Sequence, residues 1–227
     1  MISFLKTVVG LVLFFVAAAI ALTILRNASR QPSTIISDSE CNPPCWSGIQ
    51  PGETDASQVY GILGRLNGVS KDSVMPEYDK DDNLIRIWWY FEHPVEDGTG
   101  SVNIENDLVT AINILTVNSL KLADLFGRLG EPEAYWAEIG RGENREYLDV
   151  TLLYPTKGCA AEVVIDIEDG AKQVEIRDGT SVFRVTYFAP ETYQDLLKTR
   201  TLIDKAAIAR SGYFAPWSGF GTIPLEK

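Results

Sequence analysis

The sequence predicts an α+β protein built from two tandem helix-plus-antiparallel-sheet units, preceded by one transmembrane helix. Three observations support this fold class. An uncharged apolar run of nineteen residues lies near the N-terminus, at 7–25. A pattern of one helix and several strands then occurs twice, at a fixed offset of 63 residues. Within those strands, apolar and polar side chains alternate with the period of two that is typical of a sheet with one buried face.

Charge divides the chain near residue 30. Of the 227 residues, 20 are basic and 31 are acidic, which gives a net charge of −11. Residues 1–30 contain three basic side chains and no acidic one, so the other 197 residues carry −14. Nucleic-acid binding requires a basic face, and one histidine and three cysteines are too few for an imidazole- or thiolate-rich metal site. We therefore expect no nucleic-acid partner, no metal and no cofactor.

The apolar run at 7–25 is predicted to cross the membrane within an anchor formed by residues 1–26. A helix of this length just spans a hydrocarbon core of about 30 Å, and Lys6 and Arg26 bracket the run. A cleaved signal peptide is the alternative, because Ala19 and Ala21 form a small-residue cleavage pattern. The run exceeds the usual signal core of ~7–15 residues and continues past that pattern, which favours an uncleaved anchor.

Residues 27–40 are rich in small polar side chains and are predicted to be a linker. Cys41 and Cys45 follow, with three residues between them rather than the two of a Cys-x-x-Cys redox motif. Too few further ligands exist for zinc, so the preferred interpretation is a structural disulfide between them, with Cys159 as an alternative partner. Flanking charges leave the orientation undecided. A disulfide places the C-terminal part of this single-pass protein outside the cytoplasm.

Two segments, 41–114 and 115–189, are predicted to be copies of one unit. Residues 64–66 match residues 127–129, each after an apolar stripe at helical spacing. Three strands follow the helix in each copy, and a last strand at 181–188 extends the second. The equivalent positions are Val59, Ile62 and Leu63 with Leu122, Leu125 and Phe126, residues 84–91 with 147–154, Val102 and Ile104 with Ile165 and Ile167, and Ile112 and Ile114 with Val174 and Ile176.

This arrangement resembles the SmpA/OmlA family, the lipoprotein domain of the outer-membrane β-barrel assembly machinery. Gly48, Gly52 and Thr54 match its Gly-x-x-x-Gly-x-Thr entry to a helix. Two such units in tandem are similar to the plan of β-lactamase inhibitor proteins. The resemblance covers about residues 46–189 and departs from the family at the anchor, where a spanning helix replaces a lipidated cysteine. It implies a binding or envelope-assembly role; no lactamase-binding loop is present, so inhibition is not carried over.

One face of the sheet is predicted to be open. Alternation assigns Ile85, Ile87, Trp89 and Phe91, and their equivalents Leu148, Val150, Leu152 and Tyr154, to the side covered by helices. The other face has the Trp, Tyr and Arg content of a recognition surface. Its candidate binding residues are Arg86, Trp88, Tyr90 and Asn103 from the first unit and Asp149, Thr151, Leu153 and Asp166 from the second.

The C-terminal segment 190–227 is the alternative cover for that face. Residues 190–210 are predicted to form a helix, followed by an aromatic tail. Phe214, Trp217 and Phe220 are the docking candidates of the tail, because leaving such side chains in water is costly. The tail is expected to pack either on the sheet or on a partner.

No catalytic residue is predicted. His93 lies among carboxylates in a predicted turn, and an acidic cluster follows at Glu162, Asp166, Glu168 and Asp169. The chain has no nucleophile motif, phosphate loop or dinucleotide fingerprint. The preferred function is a non-catalytic binding or envelope-assembly protein, held in the cell membrane through 7–25, with an unidentified protein or envelope partner. The alternatives are an envelope enzyme that uses His93 or the acidic cluster, and a structural module without a ligand.

Overall fold

The computed structural model describes residues 41–92, 98–116, 119–142, 145–198 and 213–225, which belong to one compact unit. They form an α+β fold with a large antiparallel sheet and few helices, in agreement with the predicted class. The predicted anchor at 1–26 and linker at 27–40 lie outside the described residues. Within the described ranges, no helix is long and apolar enough to cross a membrane.

Nine strands form the main sheet, in the order β1-β2-β3-β4-β9-β7-β6-β5-β10. Every neighbouring pair in it is antiparallel. Strands β8 (Gln173–Ile176) and β11 (Gly221–Pro224) pair separately with each other. The main-sheet strands are β1 (Met75–Tyr78), β2 (Leu84–Tyr90), β3 (Thr99–Glu105), β4 (Leu108–Leu115), β5 (Ala134–Arg141), β6 (Glu146–Tyr154), β7 (Cys159–Asp166), β9 (Arg184–Phe188) and β10 (Tyr213–Pro216).

Helices α1 (Ala56–Leu63) and α2 (Leu122–Leu129) cover one face of the sheet. Their apolar stripes join the main hydrophobic core with the strand residues of that face, as the helical spacing predicts. The core members include Val59, Leu63, Leu122 and Leu125 from the helices and Ile87, Trp89, Leu148 and Val150 from the strands. Asp55 precedes α1, and its backbone N–H donates to Gln58 Oε1 at 3.1 Å, which satisfies a donor at the start of the helix.

The third strand predicted for the second unit has a different place. The 63-residue offset equates Ile112 and Ile114 of β4 with Val174 and Ile176, but these last two lie in β8, outside the main sheet. Strand β9 pairs instead with both β4 and β7. The reason is packing: β9 buries almost all of its side chains between its two neighbours, whereas β8 alternates buried and exposed ones.

A second layer lies on the opposite face of the sheet. The chain turns through Pro190–Thr192 into α3 (Tyr193–Lys198), which lies within the segment 190–210 that was predicted to be helical. Residues 199–212 lie outside the described residues. A small hydrophobic cluster joins α3 to the C-terminal half of the sheet, and its members are Tyr193, Leu196, Leu197, Trp136, Leu153, Ala160 and Phe188. This half therefore has both faces covered.

Candidate ligand-binding site on the open sheet face

The cysteines bear out the preferred pairing. Cys41 and Cys45 form a disulfide, and Cys159 in β7 is buried and free. Burial raises the pKa of the Cys159 thiol, which keeps it protonated and unreactive. Trp46, the next residue after the disulfide loop, stacks on Trp89 with ring centroids 5.4 Å apart. The loop is thus attached to the core beneath β2.

Within the described ranges, no element covers the second face of the N-terminal half of the sheet, β1–β4. Arg86 and Tyr90 are exposed and Trp88 is half-buried, whereas Ile87 and Trp89 between them are buried. Trp88 and Tyr90 contact edge to face, with centroids 5.3 Å apart. Asn103 lies directly opposite Arg86 in the β2–β3 pair. The structure therefore brings together the four candidates that alternation assigned to this half.

In the C-terminal half, the prediction of an open face needs correction. Thr151 is only 6% exposed and Leu153 is fully buried, because α3 and Trp136 pack over this part of the sheet. Asp149 is half-buried beside them. Strand alternation identifies the face on which a side chain lies, but it does not show what else packs on that face.

A cavity of about 290 Å³ lies where the open half meets the covered half. We call it the central basin. The register builds its floor from neighbouring strands, with Ser101 of β3 opposite Asn113 of β4 and Leu115 of β4 opposite Arg184 of β9. Its lining residues are Arg86, Ser101, Asn103, Asn113, Leu115 and Arg184.

Hydrogen bonds hold the amide side chains of the basin in defined orientations. Arg86 Nε donates to Asn103 Oδ1 at 3.2 Å, and Arg86 Nη1 forms an ion pair with Glu77 Oε2 at 3.0 Å. Thr186 Oγ1 donates to Asn113 Oδ1 at 3.0 Å. Both amide oxygens are thus engaged. Neither amide nitrogen has a hydrogen-bond partner in the part of the chain that the structure describes.

Acidic side chains lie next to the basin under the covered half. Arg184 forms an ion pair with Glu162, and Asp149 and Glu138 are direct neighbours across β6 and β5. Burial, together with the charges of Glu162 and Glu138, raises the pKa of Asp149 to about 8, against the opposing effect of Arg184. A carboxyl group with this pKa is mostly protonated at neutral pH. The group can therefore hold a proton that most aspartates release.

The acidic cluster predicted from the sequence is not gathered at one point. Glu162 pairs with Arg184, and Asp166 pairs with Arg145 at 2.9 Å on the exposed surface. Glu168 and Asp169 lie in the turn after β7. Among the described residues, no group of three or more His, Cys, Asp or Glu side chains is arranged to hold a metal ion. His93 lies outside the described residues.

The aromatic tail packs on its own chain. Strand β10 extends the sheet beside β5, where Phe214 contacts Trp136 with centroids 4.6 Å apart but stays 51% exposed. Trp217 and Phe220 both contact Phe126 of α2, with centroids 5.5 Å and 5.1 Å from its ring. Within the described residues, the tail thus lies at the sheet edge and on α2 rather than over Trp88 and Tyr90, and its role in docking a partner stays a prediction.

Four residues of the basin were not identified from the sequence, namely Ser101, Asn113, Leu115 and Arg184. Ser101 shares the parity of Asn103 in β3, so alternation alone was a sufficient signal for it. Asn113 and Arg184 lie in predicted strands, but no local pattern places β4 beside β9. Their proximity depends on a pairing between segments that are about 70 residues apart, as the 73-residue separation of Asn113 and Thr186 illustrates.

Comparison with known proteins yields distant likenesses only. No known family profile matches the chain, and no curated protein does. One similar solved structure is a cysteine-rich secretory protein from Staphylococcus aureus, with 14% identity and a TM-score of 0.32, over 69% of this chain and 50% of that one. Another is an extracellular protein containing an SCP domain from Bacillus anthracis, with 10% identity and a TM-score of 0.33, over 84% and 56%. The chain spans about half the length of each protein.

Proposed function

We propose that this protein is a non-catalytic binding protein, anchored in the cell membrane, that takes its ligand outside the cytoplasm on the open part of its sheet. The central basin carries this proposal. It is concave and combines convergent polar groups with the neighbouring Trp88 and Tyr90, the combination found in specific ligand sites. On the same side of the sheet, α3 covers the C-terminal half, which limits binding to the basin and to β1–β4.

The compartment is supported by the disulfide and the charge distribution. Disulfides such as Cys41–Cys45 persist in oxidising compartments and are rare in the cytosol. The apolar run at 7–25 is the proposed anchor, and the 197 residues beyond residue 30, which carry a net charge of −14, lie on the outer side. Treating cells stripped of any outer membrane and cell wall (spheroplasts or protoplasts) with a membrane-impermeant protease is expected to digest residues beyond 40. Protection of that part until the cells are lysed would contradict the orientation.

We also infer that segments 41–114 and 115–189 are tandem units similar to those of the SmpA/OmlA family. Strand order supports this inference. After α1, the strands run β1-β2-β3-β4 inward from one edge; after α2, they run β5-β6-β7-β9 inward towards the same centre, with β10 added outside β5. The antiparallel β4–β9 pair joins the two sets. In this scheme β8 is an insertion in the second unit.

Site-specific crosslinking tests the binding function. A photoreactive amino acid in place of Ser101, on the basin floor, is expected to give a discrete adduct in intact cells. The matched control is Glu175, which is exposed on β8, in the separate two-stranded sheet. Arg86→Gln, which removes a basin guanidinium from an exposed position, is expected to abolish the Ser101 adduct. No adduct at Ser101, or the same adducts at both positions, would overturn the proposal.

An envelope enzyme is the second candidate, and one observation favours it. Asp149 holds a proton near neutral pH beside Glu162, and this is the property that a general acid requires. His93, the other candidate for an acid or base, is tested in the same experiment. An activity that is lost in His93→Ala or Asp149→Asn but kept in Trp88→Ala would favour the enzyme over the binding protein.

A further inference from the structure

We propose that the central basin binds an oxyanion, namely a carboxylate or phosphate group of its ligand. The inference rests on the proposed binding function of this face and names the chemical class that the basin recognises. The first evidence is the lining itself. It contains two guanidinium groups, two carboxamides, one hydroxyl and one leucine, and it has no carboxylate. Guanidinium and amide N–H groups are the usual ligands of carboxylates and phosphates.

Each carboxamide of the basin already accepts a hydrogen bond at its oxygen, so its NH₂ group is the part that faces a ligand as a donor. A guanidinium can only donate, so the group of Asn103 that faces Arg86 must be its oxygen. At Asn113, the hydroxyl of Thr186 donates to the side-chain oxygen at 3.0 Å. The NH₂ group of each side chain has no partner among the described residues, so it is the donor that the side chain offers to a ligand. A cation or a ligand rich in donors would therefore find few acceptors in this basin.

The two arginines retain donors as well. Arg86 uses Nε for Asn103 and Nη1 for Glu77, and no partner of its Nη2 occurs among the described residues. Arg184 uses Nη2 for Glu162. Both glutamates lie outside the lining of the basin, so they hold the guanidiniums at its two sides without occupying it. Such pre-orientation reduces the entropy lost when a ligand binds.

Because the protein is acidic, an anion can bind only where hydrogen-bond donors point at it. The residues beyond 30 carry −14, so the long-range field repels an anion rather than steering it. An oxyanion can then bind only through short-range contacts, and converging N–H groups provide these. Strands β2 and β9 lie three strand spacings apart, or about 14 Å, with Ser101, Asn103 and Asn113 between their arginines. This width suits an oxyanion carried on a larger polar ligand, such as an acidic sugar or an acidic peptide.

The test observes the proposed donors directly. The full chain in detergent micelles is labelled with ¹⁵N-asparagine, and its side-chain amide signals are followed at constant pH and ionic strength. The probes are acetate and glucuronate for carboxylates, inorganic phosphate for phosphates, and glucose as the neutral control. We expect saturable shifts of the Asn103 and Asn113 NH₂ signals with at least one anionic probe and none with glucose. The exposed Asn42 side chain is the internal reference.

A matched pair of variants adds a structural control. Asn113→Asp keeps the oxygen that Thr186 contacts but replaces the donor by an acceptor, so at least tenfold weaker probe binding is expected. Asn42→Asp makes the same charge change at an exposed position and is expected to leave binding unchanged. Saturation by carboxylates alone, or by phosphate alone, supports the proposal and identifies the source of the oxyanion.

The oxyanion proposal would be overturned if the signals shift linearly with probe concentration and equally in Asn113→Asp and Asn42→Asp. It would also be overturned if glucose alone causes shifts. The crosslinking experiment at Ser101 separates this failure from failure of the binding function. If the Ser101 adduct persists although no anionic probe binds, the binding face stands and the ligand class is wrong. If both are absent, both proposals fall.

Discussion

Replacing Asp149 by asparagine is expected to change how stability depends on pH. Asp149 lies beside Glu138 on β5 and near Glu162 on β7, and its burial with these carboxylates raises its pKa to about 8. In the unfolded chain an aspartate has a pKa of about 4. Between these two values the folded protein keeps a proton that the unfolded chain releases. Asparagine has the shape of the protonated acid and no titratable proton.

The sign and size of the effect follow from proton linkage. Where the folded state holds one proton more than the unfolded state, the free energy of unfolding falls by about 1.4 kcal/mol for each unit of rising pH. The stabilising effect of the Asp149 proton is therefore complete below pH ~4 and lost as the pH passes ~8. Over the whole interval, the change is at most roughly 5 kcal/mol, because the coupled neighbours share the titration.

Urea unfolding of the full chain between pH 5 and 9, followed by tryptophan fluorescence, measures this effect. Wild type is expected to lose stability relative to Asp149→Asn as the pH rises, and the difference levels off above pH ~8.5. Asp166→Asn is the control, since its carboxylate forms an exposed ion pair with Arg145 that contributes less than about 1 kcal/mol. A difference between wild type and Asp149→Asn that stays constant from pH 5 to 9 would refute the reasoning.

Three further predictions concern packing and thiols. In Gly100→Ala the new methyl group would overlap the buried indole of Trp89, and this is expected to lower the free energy of unfolding by about 1–3 kcal/mol. Gly61→Ala lies at an uncrowded position of a helix and is expected to raise that free energy by about 0.5–1 kcal/mol. The midpoints of urea unfolding compare the two variants. Trp217→Ala should destabilise the protein by about 2 kcal/mol, because Trp217 packs between the rings of Phe126 and Tyr135. Phe214→Ala should destabilise it by less than about 1 kcal/mol, because Phe214 is half exposed. Equal losses of stability in the two variants would count against the packing of the tail. Thiol titration without reductant should find no reactive group in the native protein and one, Cys159, in denaturant; three thiols in denaturant would exclude the disulfide.

The elements that could be predicted from the sequence are those with a clear local period. Val59 and Leu63 marked α1, and alternation marked β2 and β6, because a buried face imposes its own spacing on the chain. Strands β1 and β5 were not predicted. β1 has four residues and contains Pro76, and β5 mixes small, charged and aromatic residues. The burial of Glu138 in β5 depends on its neighbours and leaves no apolar pattern to detect.

The candidate site was predictable only in part, for the same reason. Arg86, Trp88 and Tyr90 share one parity in one strand, so their common face followed from the backbone geometry alone. Arg184 joined them only through the β4–β9 pair. Leu153 had the correct parity but is removed from the surface by its cluster with α3, a helix about 40 residues later in the chain.

The sequence by itself determined the α+β class and the faces of the residues in the strands that it predicted, and it favoured the disulfide between Cys41 and Cys45. These properties are local: they depend on the alternation of an extended chain, the helical period and a loop of a few residues. Only the tertiary structure decided that β9 rather than β8 completes the sheet, that α3 covers half of the second face, and that Arg86 and Arg184 line one basin. Each of these outcomes depends on contacts between segments far apart in the chain, which are selected by packing and hydrogen bonding and leave no local pattern in the sequence.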